Sequence, residues 1–343
     1  MSYEAPTKIE ARERVRAASK PIEERDARDV PYEAFLRDYM AASRPLIIRN
    51  ATPAWPALSK WTPEFFKLRF GMKKVQVSYD AQMNFSDFID AVLASTEEKP
   101  GPYMYRLFLH EALPEVLEDL SPPNPYAFPR RYASPLMMEY WRRPDGYLKL
   151  LIGGVGGSFP VMHYDGDNDH ATITQIYGNK EFIVYSPVDT PYLYASPKRA
   201  NHSLVDDPHQ QDHERFPLLR KATQYRSVLG PGDTVFVPCG WWHTARALSP
   251  SISVGMNTLD SSNWHGFVRS VCGPFGSSLH PKALLKRAYF ETLGVALSAM
   301  ERAQRTFPTA AHWLVAPRVL APDTSAVARD PATKPLRIRV TTG

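Results

Sequence analysis

Residues 150–189 read LLIGGVGGSFPVMHYDGDNDHATITQIYGNKEFIVYSPVD. At the edge of this stretch and within it, the runs LKLLIGG (148–154), ATITQIYG (171–178) and EFIVYS (181–186) are separated by Gly, Pro, Asn and Asp. Short runs rich in Ile, Val, Thr and aromatics, bounded by turn residues, read as strands. TVFVP (234–238) and ISVGMNTL (252–259) continue the pattern. Short strands divided by turns favour a sandwich or barrel over alternating strand–helix–strand units, so the fold class is mainly β.

Upstream the character differs. YEAFLRDYMA (32–41) has helical spacing, PLIIRN (45–50) is a short apolar strand, and PEFFKLRFG (63–71) is a helix ending in glycine. VQVSYD (75–80) alternates like a strand, and FSDFIDAVLAS (85–95) is an amphipathic helix with Ser86 as its expected cap. Downstream, 189–226 is rich in Pro, His and charge without periodicity, and a loop of that size is either functional or disordered. PKALLKRAYFETLGVALSAMERAQRTF (281–307) carries apolar residues at three- and four-residue steps, so one or two helices pack there on the barrel or on a second copy. The expected organisation is a charged arm (1–30), a catalytic domain (31–274), a helical region (275–317) and a Pro-rich tail (318–343).

The 343 residues are 43% hydrophobic and 12% aromatic, enough for a sizeable core and unlike a disordered chain. Cys239 and Cys272 fit no metal or redox spacing, which suits a reducing compartment. The charged N-terminus and the lack of any stretch near the ~18 apolar residues of a membrane span make a soluble, cytoplasmic protein the expectation. A net charge of +5 and a pI of about 9.0 are modest, and no basic stripe is interleaved with aromatics, so neither nucleic acid nor membrane is an expected partner. GxxxxGK[ST] and HExxH are absent, and GGVGG does not complete GxGxxG.

The densest chemical signal is HYD at 163–165. On extended backbone residues i and i+2 share a face, so His163 and Asp165 project together. A third ligand is supplied by His243 in FVPCGWWHTARAL (236–248). Two imidazoles and one carboxylate make the facial triad of non-haem iron(II) sites, which leaves positions open for co-substrate and dioxygen. Singly, an HxD tripeptide or a histidine beside two tryptophans is ordinary; the strand and turn contexts give the combination its weight. Trp241 and Trp242 face opposite ways, and core packing is the expected role of both. The acidic run Asp165, Asp167, Asp169 reads as a solvated turn before a cation attractor, and His209 with His213, at helical spacing, as ordinary loop histidines before a metal pair.

Residues 150–189, DDPHQQDHERFP (206–217), VLGPGDTVFVPCGWWHTARAL (228–248) and ISVGMN (252–257), in that order, resemble the Jumonji-C, cupin-like hydroxylases, most of all the asparaginyl hydroxylase that inhibits hypoxia-inducible factor. The resemblance runs through 45–260 and is concentrated in 148–258. It implies a double-stranded β-helix (jelly-roll) core with flanking N-terminal α/β elements and C-terminal helices. It also implies Fe(II) on His163, Asp165 and His243, with 2-oxoglutarate and dioxygen as co-substrates. Lys180 matches the lysine that pairs with the far carboxylate of 2-oxoglutarate, and Ser253 stands where many relatives of that chemistry carry an arginine. Asn257 matches an asparagine near iron and co-substrate. A family threonine before HxD is met by Ser158 or Phe159, and a family tyrosine falls near Phe108, leaving Tyr105 or Tyr103 as substitutes. RANHSLVD (199–206) puts His202 where the asparaginyl hydroxylase presents an amide, which speaks against asparagine as substrate.

The implied activity is hydroxylation of an unactivated C–H bond in a protein or peptide side chain or an amino-acid-derived molecule. The retained Asp165 speaks against halogenation, and the HxD context is closer to hydroxylases than to lysine demethylases. An RNA-modifying oxygenase of the same fold and a catalytically silent cupin used as a binding module are the alternatives. The resemblance also implies a homodimer through the C-terminal helices.

Overall fold

The computed structural model describes residues 18–77, 82–127, 148–273 and 280–306. Most of the N-terminal arm, the end of the expected strand 75–80 and the Pro-rich tail lie outside the described residues.

Twelve strands are present among the described residues: β1 Glu24–Asp26, β2 Leu46–Arg49, β3 Lys74–Gln76, β4 Gln82–Asn84, β5 Tyr103–Phe108, β6 Lys149–Gly153, β7 His170–Tyr177, β8 Lys180–Tyr185, β9 Gln224–Leu229, β10 Thr234–Val237, β11 Trp242–Ala247 and β12 Ser251–Thr258. They form a seven-stranded sheet, β1-β2-β10-β7-β12-β6-β5, a three-stranded sheet, β11-β8-β9, and the hairpin β3-β4. The short connection Gly178–Asn179 carries the chain from β7 in the large sheet to β8 in the small one. Two facing sheets of largely antiparallel strands are the double-stranded β-helix that the resemblance implies.

The space between the sheets is filled from both sides. Ile47, Leu151, Ala171, Ile173 and Val235 of the large sheet meet Phe182, Val184, Leu229 and Ala245 of the small one. Each such side chain contributes roughly 1.5–3 kcal/mol by leaving water. The opposite faces are covered too, which is why these strands read as continuous apolar runs instead of alternating ones. Helices α2 (Pro63–Phe70) and α3 (Phe85–Leu93) bury Phe66, Phe70, Phe85, Phe88 and Ile89 against Leu150, Ile152 and Val254. The short helix α1 (Tyr32–Phe35) continues into one wide π turn, Leu36–Met40, so that Phe35, Tyr39 and Met40 all reach the core beside Leu46 and Phe236.

Thr62 caps α2 by accepting from Phe65 N at 3.1 Å. Ser86, the expected cap of α3, instead lies in its first turn, because the buried Phe85 is already helical and Asn84 takes the cap position.

The segment 189–226 is ordered over the outside of the small sheet. Leu193, Val205, Phe216 and Leu219 form a satellite core with Ile183, Tyr185 and Trp242, and Gln224 Nε2 and Gln211 Nε2 both donate to Tyr185 Oη, at 2.6 and 3.1 Å. At the other end, α4 (Trp264–Cys272) packs on α5 (Pro281–Thr306) through Trp264, Phe267, Phe290, Leu293 and Leu297. Among the described residues no helix is long and apolar enough to cross a membrane.

Candidate active site

His163 follows β6 on a stretch of extended backbone that is paired on both sides. Its N–H donates to His243 O at 3.1 Å and its carbonyl accepts from His243 N at 2.7 Å, while Tyr164 N donates to Asn201 O and Ser203 N to Met162 O, at 3.1 and 2.9 Å. Three strand-like segments thus bring His243, His163 and His202 side by side; the His163 and His243 rings are 4.6 Å apart, and His163 and His202 6.1 Å.

His163, Asp165 and His243 each offer a ligand atom, and these atoms lie within 4.8 Å of one another. His163 Nδ1 faces Val161 O and His243 Nδ1 faces Trp241 O, both at 3.0 Å. A carbonyl only accepts, so both Nδ1 atoms carry the proton and both Nε2 lone pairs point elsewhere. Burial and the neighbouring His243 push the His163 pKa down to about 4, which keeps its imidazole neutral and ready to ligate. Two neutral imidazoles and one carboxylate are the donor set that suits a non-haem iron(II) ion, so these residues fit the metal.

Lys180 opens β8 and is fully buried. Its Nζ donates to Tyr103 Oη at 3.2 Å and to Ser253 Oγ, and it stands 5.2 Å from the Tyr103 ring centre. Ser253 in turn donates to Gln175 Oε1 at 2.8 Å, and Gln175 Nε2 donates to Ser251 Oγ at 3.0 Å. Among the described residues no carboxylate faces this ammonium, and burial alone pushes its pKa down to about 7. A buried cation held only by neutral oxygens requires an anion to compensate its desolvation, and a ligand carboxylate supplies one.

The register sets the backbone distance between Lys180 and His243. Lys180 is opposite Ala247 and Val184 opposite His243, so the backbones of Lys180 and His243 are about 13 Å apart along the strand direction, at ~3.3 Å per residue. Between them on the inward face of β11 is the small Ala245, opposite Phe182 of β8.

Other expected residues fall as follows. Tyr103, not Tyr105, touches Lys180; Tyr105 stacks beside Tyr103 at 6.5 Å and against Phe159 at 5.8 Å. Phe159, not Ser158, lies beside the metal ligands, its ring 5.6 Å from that of His163. Its neighbour Ser158 bridges to Arg246, whose guanidinium reaches outward to Glu97, and adjacent residues on extended backbone point opposite ways. Asn257 accepts from Lys149 Nζ at 3.0 Å and leans its amide toward Asp169 at 3.5 Å. Burial and the like charges of Asp165 and Asp167 push the Asp169 pKa up to about 8.

Trp241 and Trp242 both enter cores, on opposite sides of the small sheet. His209 Nδ1 is 2.9 Å from the buried Glu181 carboxylate; the triad is the metal-capable group of three among the described residues. Both cysteines are free, and burial pushes the Cys239 thiol up to about 11. Sequence spacing had no means of finding Gln175, and it left Tyr103 and Tyr105 as alternatives, because β5, β7 and β8 meet at Lys180 only after the sheets close.

Comparison with known proteins agrees with this geometry. Residues 31–259 match the cupin-like domain family model. The chain is 29% identical over 238 residues to Jumonji C domain-containing protein 5 of Drosophila melanogaster, covering 65% of this chain and 56% of that protein. It is 26% identical over 238 residues to lysine-specific demethylase 8 of Danio rerio, covering 65% and 55%. To tRNA wybutosine-synthesizing protein 5 of Gallus gallus it is 27% identical over 245 residues, covering 67% and 74%. The chain thus spans about half the length of the first two relatives. The matched segment contains both facing sheets apart from β1, the three metal-capable side chains and the buried lysine, and on these grounds the chain belongs to the cupin-like, Jumonji-C family of iron- and 2-oxoglutarate-dependent oxygenases.

Proposed function

We propose that this protein hydroxylates a side chain of a protein or peptide substrate, with iron(II) on His163, Asp165 and His243 and 2-oxoglutarate anchored by Lys180. The observation that carries the reading is the buried Lys180 ammonium, set without a carboxylate partner among the described residues and on the same inward strand face as the triad's His243. When bound, iron and 2-oxoglutarate supply the oxidation of an unactivated C–H bond by dioxygen, with the co-substrate decarboxylated to succinate. The chain's own residues do the rest. Lys180, Tyr103 and Ser253 hold the far carboxylate; Phe159 and Ala245 wall the passage against water; and the 199–206 segment with His202 forms the side from which a substrate approaches.

A protein side chain is favoured over RNA because the basic residues of the described surface are dispersed or engaged, as Lys60, Lys67 and Arg49 are by carboxylates. Similarity to the tRNA wybutosine-synthesizing protein keeps an RNA-modifying reading as the second. Incubating the iron-loaded protein with 2-oxoglutarate and a cell extract, then comparing peptides by mass spectrometry, tests the proposal. Gain of one oxygen atom on a peptide is the expected result. Loss of a methyl group would replace it with demethylation, and a product found only in tRNA would replace it with the RNA reading.

Two half-buried free cysteines suit a reducing, cytoplasmic setting. We further propose a homodimer through α5, whose outward face carries Leu285, Ala288, Val295 and Ala299 at steps of three, seven and four residues, with Leu285 and Val295 over 70% exposed.

A further inference from the structure

His163 and His243 are fixed by reciprocal backbone bonds, but those ladder bonds end at Tyr164. Asp165 begins a polar turn, Asp165–Asp169, in which no large apolar side chain is present to pack it down. What fixes the turn is α4. Asn168 sits at the left-handed φ of 59° and donates from Nδ2 to Asn263 O at 2.9 Å, while its N–H donates to Asp165 O at 3.3 Å. Its amide lies directly on the backbone of α4 at Gly266: a β-carbon there would stand 1.9 Å from Asn168 Nδ2 and 2.4 Å from Asn168 Cγ. Ser270, one turn further along α4, donates to Gly166 O at 3.1 Å and to Asp167 Oδ1 at 3.1 Å.

The helix underneath is itself seated. Asn263 Nδ2 donates to Thr258 O at 3.0 Å at the end of β12, and Trp264 Nε1 donates to Phe290 O at 2.9 Å on α5. Gly294 of α5 lets that indole approach so closely that a β-carbon would fall 2.4 Å from Trp264 Cδ1. A continuous set of contacts therefore runs from α5 through α4 to the turn that carries the one carboxylate of the triad.

We propose that Asn168, seated on Gly266, is a positioning residue for the metal ligand Asp165, so that α4 sets the metal affinity of a site to which it contributes no ligand. The proposal rests on the reading of His163, Asp165 and His243 as a metal site. Glycine is required at 266 because any larger residue displaces the Asn168 amide, and asparagine suits 168 because its short polar side chain tolerates the left-handed conformation while bonding locally.

The test is a titration of the metal-free full chain with Co(II), following both the dissociation constant and the Co(II) absorption bands, for the unaltered protein, Gly266→Ala, Asn168→Gly and the double variant. Each single change is expected to weaken Co(II) binding about five-fold, the size of one lost hydrogen bond, and to shift the bands as the carboxylate loosens. The double variant is expected to match the singles, because both remove the same seat; independent effects would multiply. Unchanged affinity and bands in both singles, or multiplying losses in the double, overturns the proposal. So does a lowered melting temperature with metal binding intact, which marks a merely structural role. If Gly266→Ala does not fold by near-ultraviolet circular dichroism, Asn168→Gly decides alone, since glycine keeps the positive φ. Absence of Co(II) binding by the unaltered protein would instead refute the metal site itself.

Discussion

Lys180 shows how much chemistry one buried side chain implies. Its folded pKa of about 7 lies below its ordinary 10.5, so between those values the unfolded chain holds a proton that the folded chain lacks. Stability of the ligand-free protein therefore rises with pH across that window. Binding an anion reverses the preference by favouring the ammonium. Binding of 2-oxoglutarate is thus expected to take up close to one proton at pH 8.5 and to weaken by up to about ten-fold per pH unit above 7. Calorimetry in buffers of different ionisation enthalpy measures the uptake directly; proton release, or none, would remove Lys180 from the co-substrate site. The three ligands and this lysine were legible as residues because HxD, the distal histidine and the lysine stand in recognisable local contexts. Their helpers were not. Tyr103 and Tyr105 are equivalent in sequence, and only the register of β5 on β6, interrupted between Met104 and Leu107, decides which one reaches Lys180.

At the scale of elements, the turn between β7 and β8 is the joint on which Lys180 depends. Gly178 has a φ of 67°, and a β-carbon there would lie 2.0 Å from Pro250 O. Gly178→Ala is expected to cost at least about 2 kcal/mol in denaturant unfolding, combining a strained backbone with a clash against a carbonyl that cannot swing aside. A loss below about 0.5 kcal/mol, the range of an ordinary surface substitution, would show that this turn is freer than its geometry. Strands β2, β3, β6, β7, β8, β10 and β12 were legible, since β-branched runs bounded by turn residues have few other solutions, while β1, β4, β5, β9 and β11 were not marked out. The 189–226 segment was not, because its order comes from scattered residues such as Leu193, Val205 and Phe216 meeting Trp242 across the sheet, and no local period records such contacts. The helix at 32–41 was found in place but not in kind: a π turn is chosen by which side chains must be buried, not by propensity.

For the whole molecule, the arrangement of strands into a large and a small sheet follows from closure, in which the strand pair β7 and β8 divides between the two. Apolar continuity in the sequence announces strands covered on both faces, and helices α2 and α3, the 189–226 segment and α4 with α5 supply that cover. The outward face of α5 is the exception. Light scattering on the full chain is expected to show a dimer that Leu285→Glu with Val295→Glu converts to a monomer, without loss of the α4–α5 core on the helix's other side. A monomer at every concentration before substitution would contradict the dimer. Such a dimer would also brace α4, and through it the Asp165 turn.

The central claim is that the triad and Lys180 serve one oxidative turnover. The measurement that tests it most directly is succinate formation from 2-oxoglutarate with Fe(II) under air, compared among the unaltered protein, His163→Ala and Lys180→Ala. Turnover that vanishes in His163→Ala and demands at least about ten-fold more 2-oxoglutarate in Lys180→Ala, the scale of a lost buried charge pair, is the predicted result. No turnover by the unaltered protein, with neither iron nor 2-oxoglutarate bound, would contradict the oxygenase account and leave a silent cupin that binds without reacting.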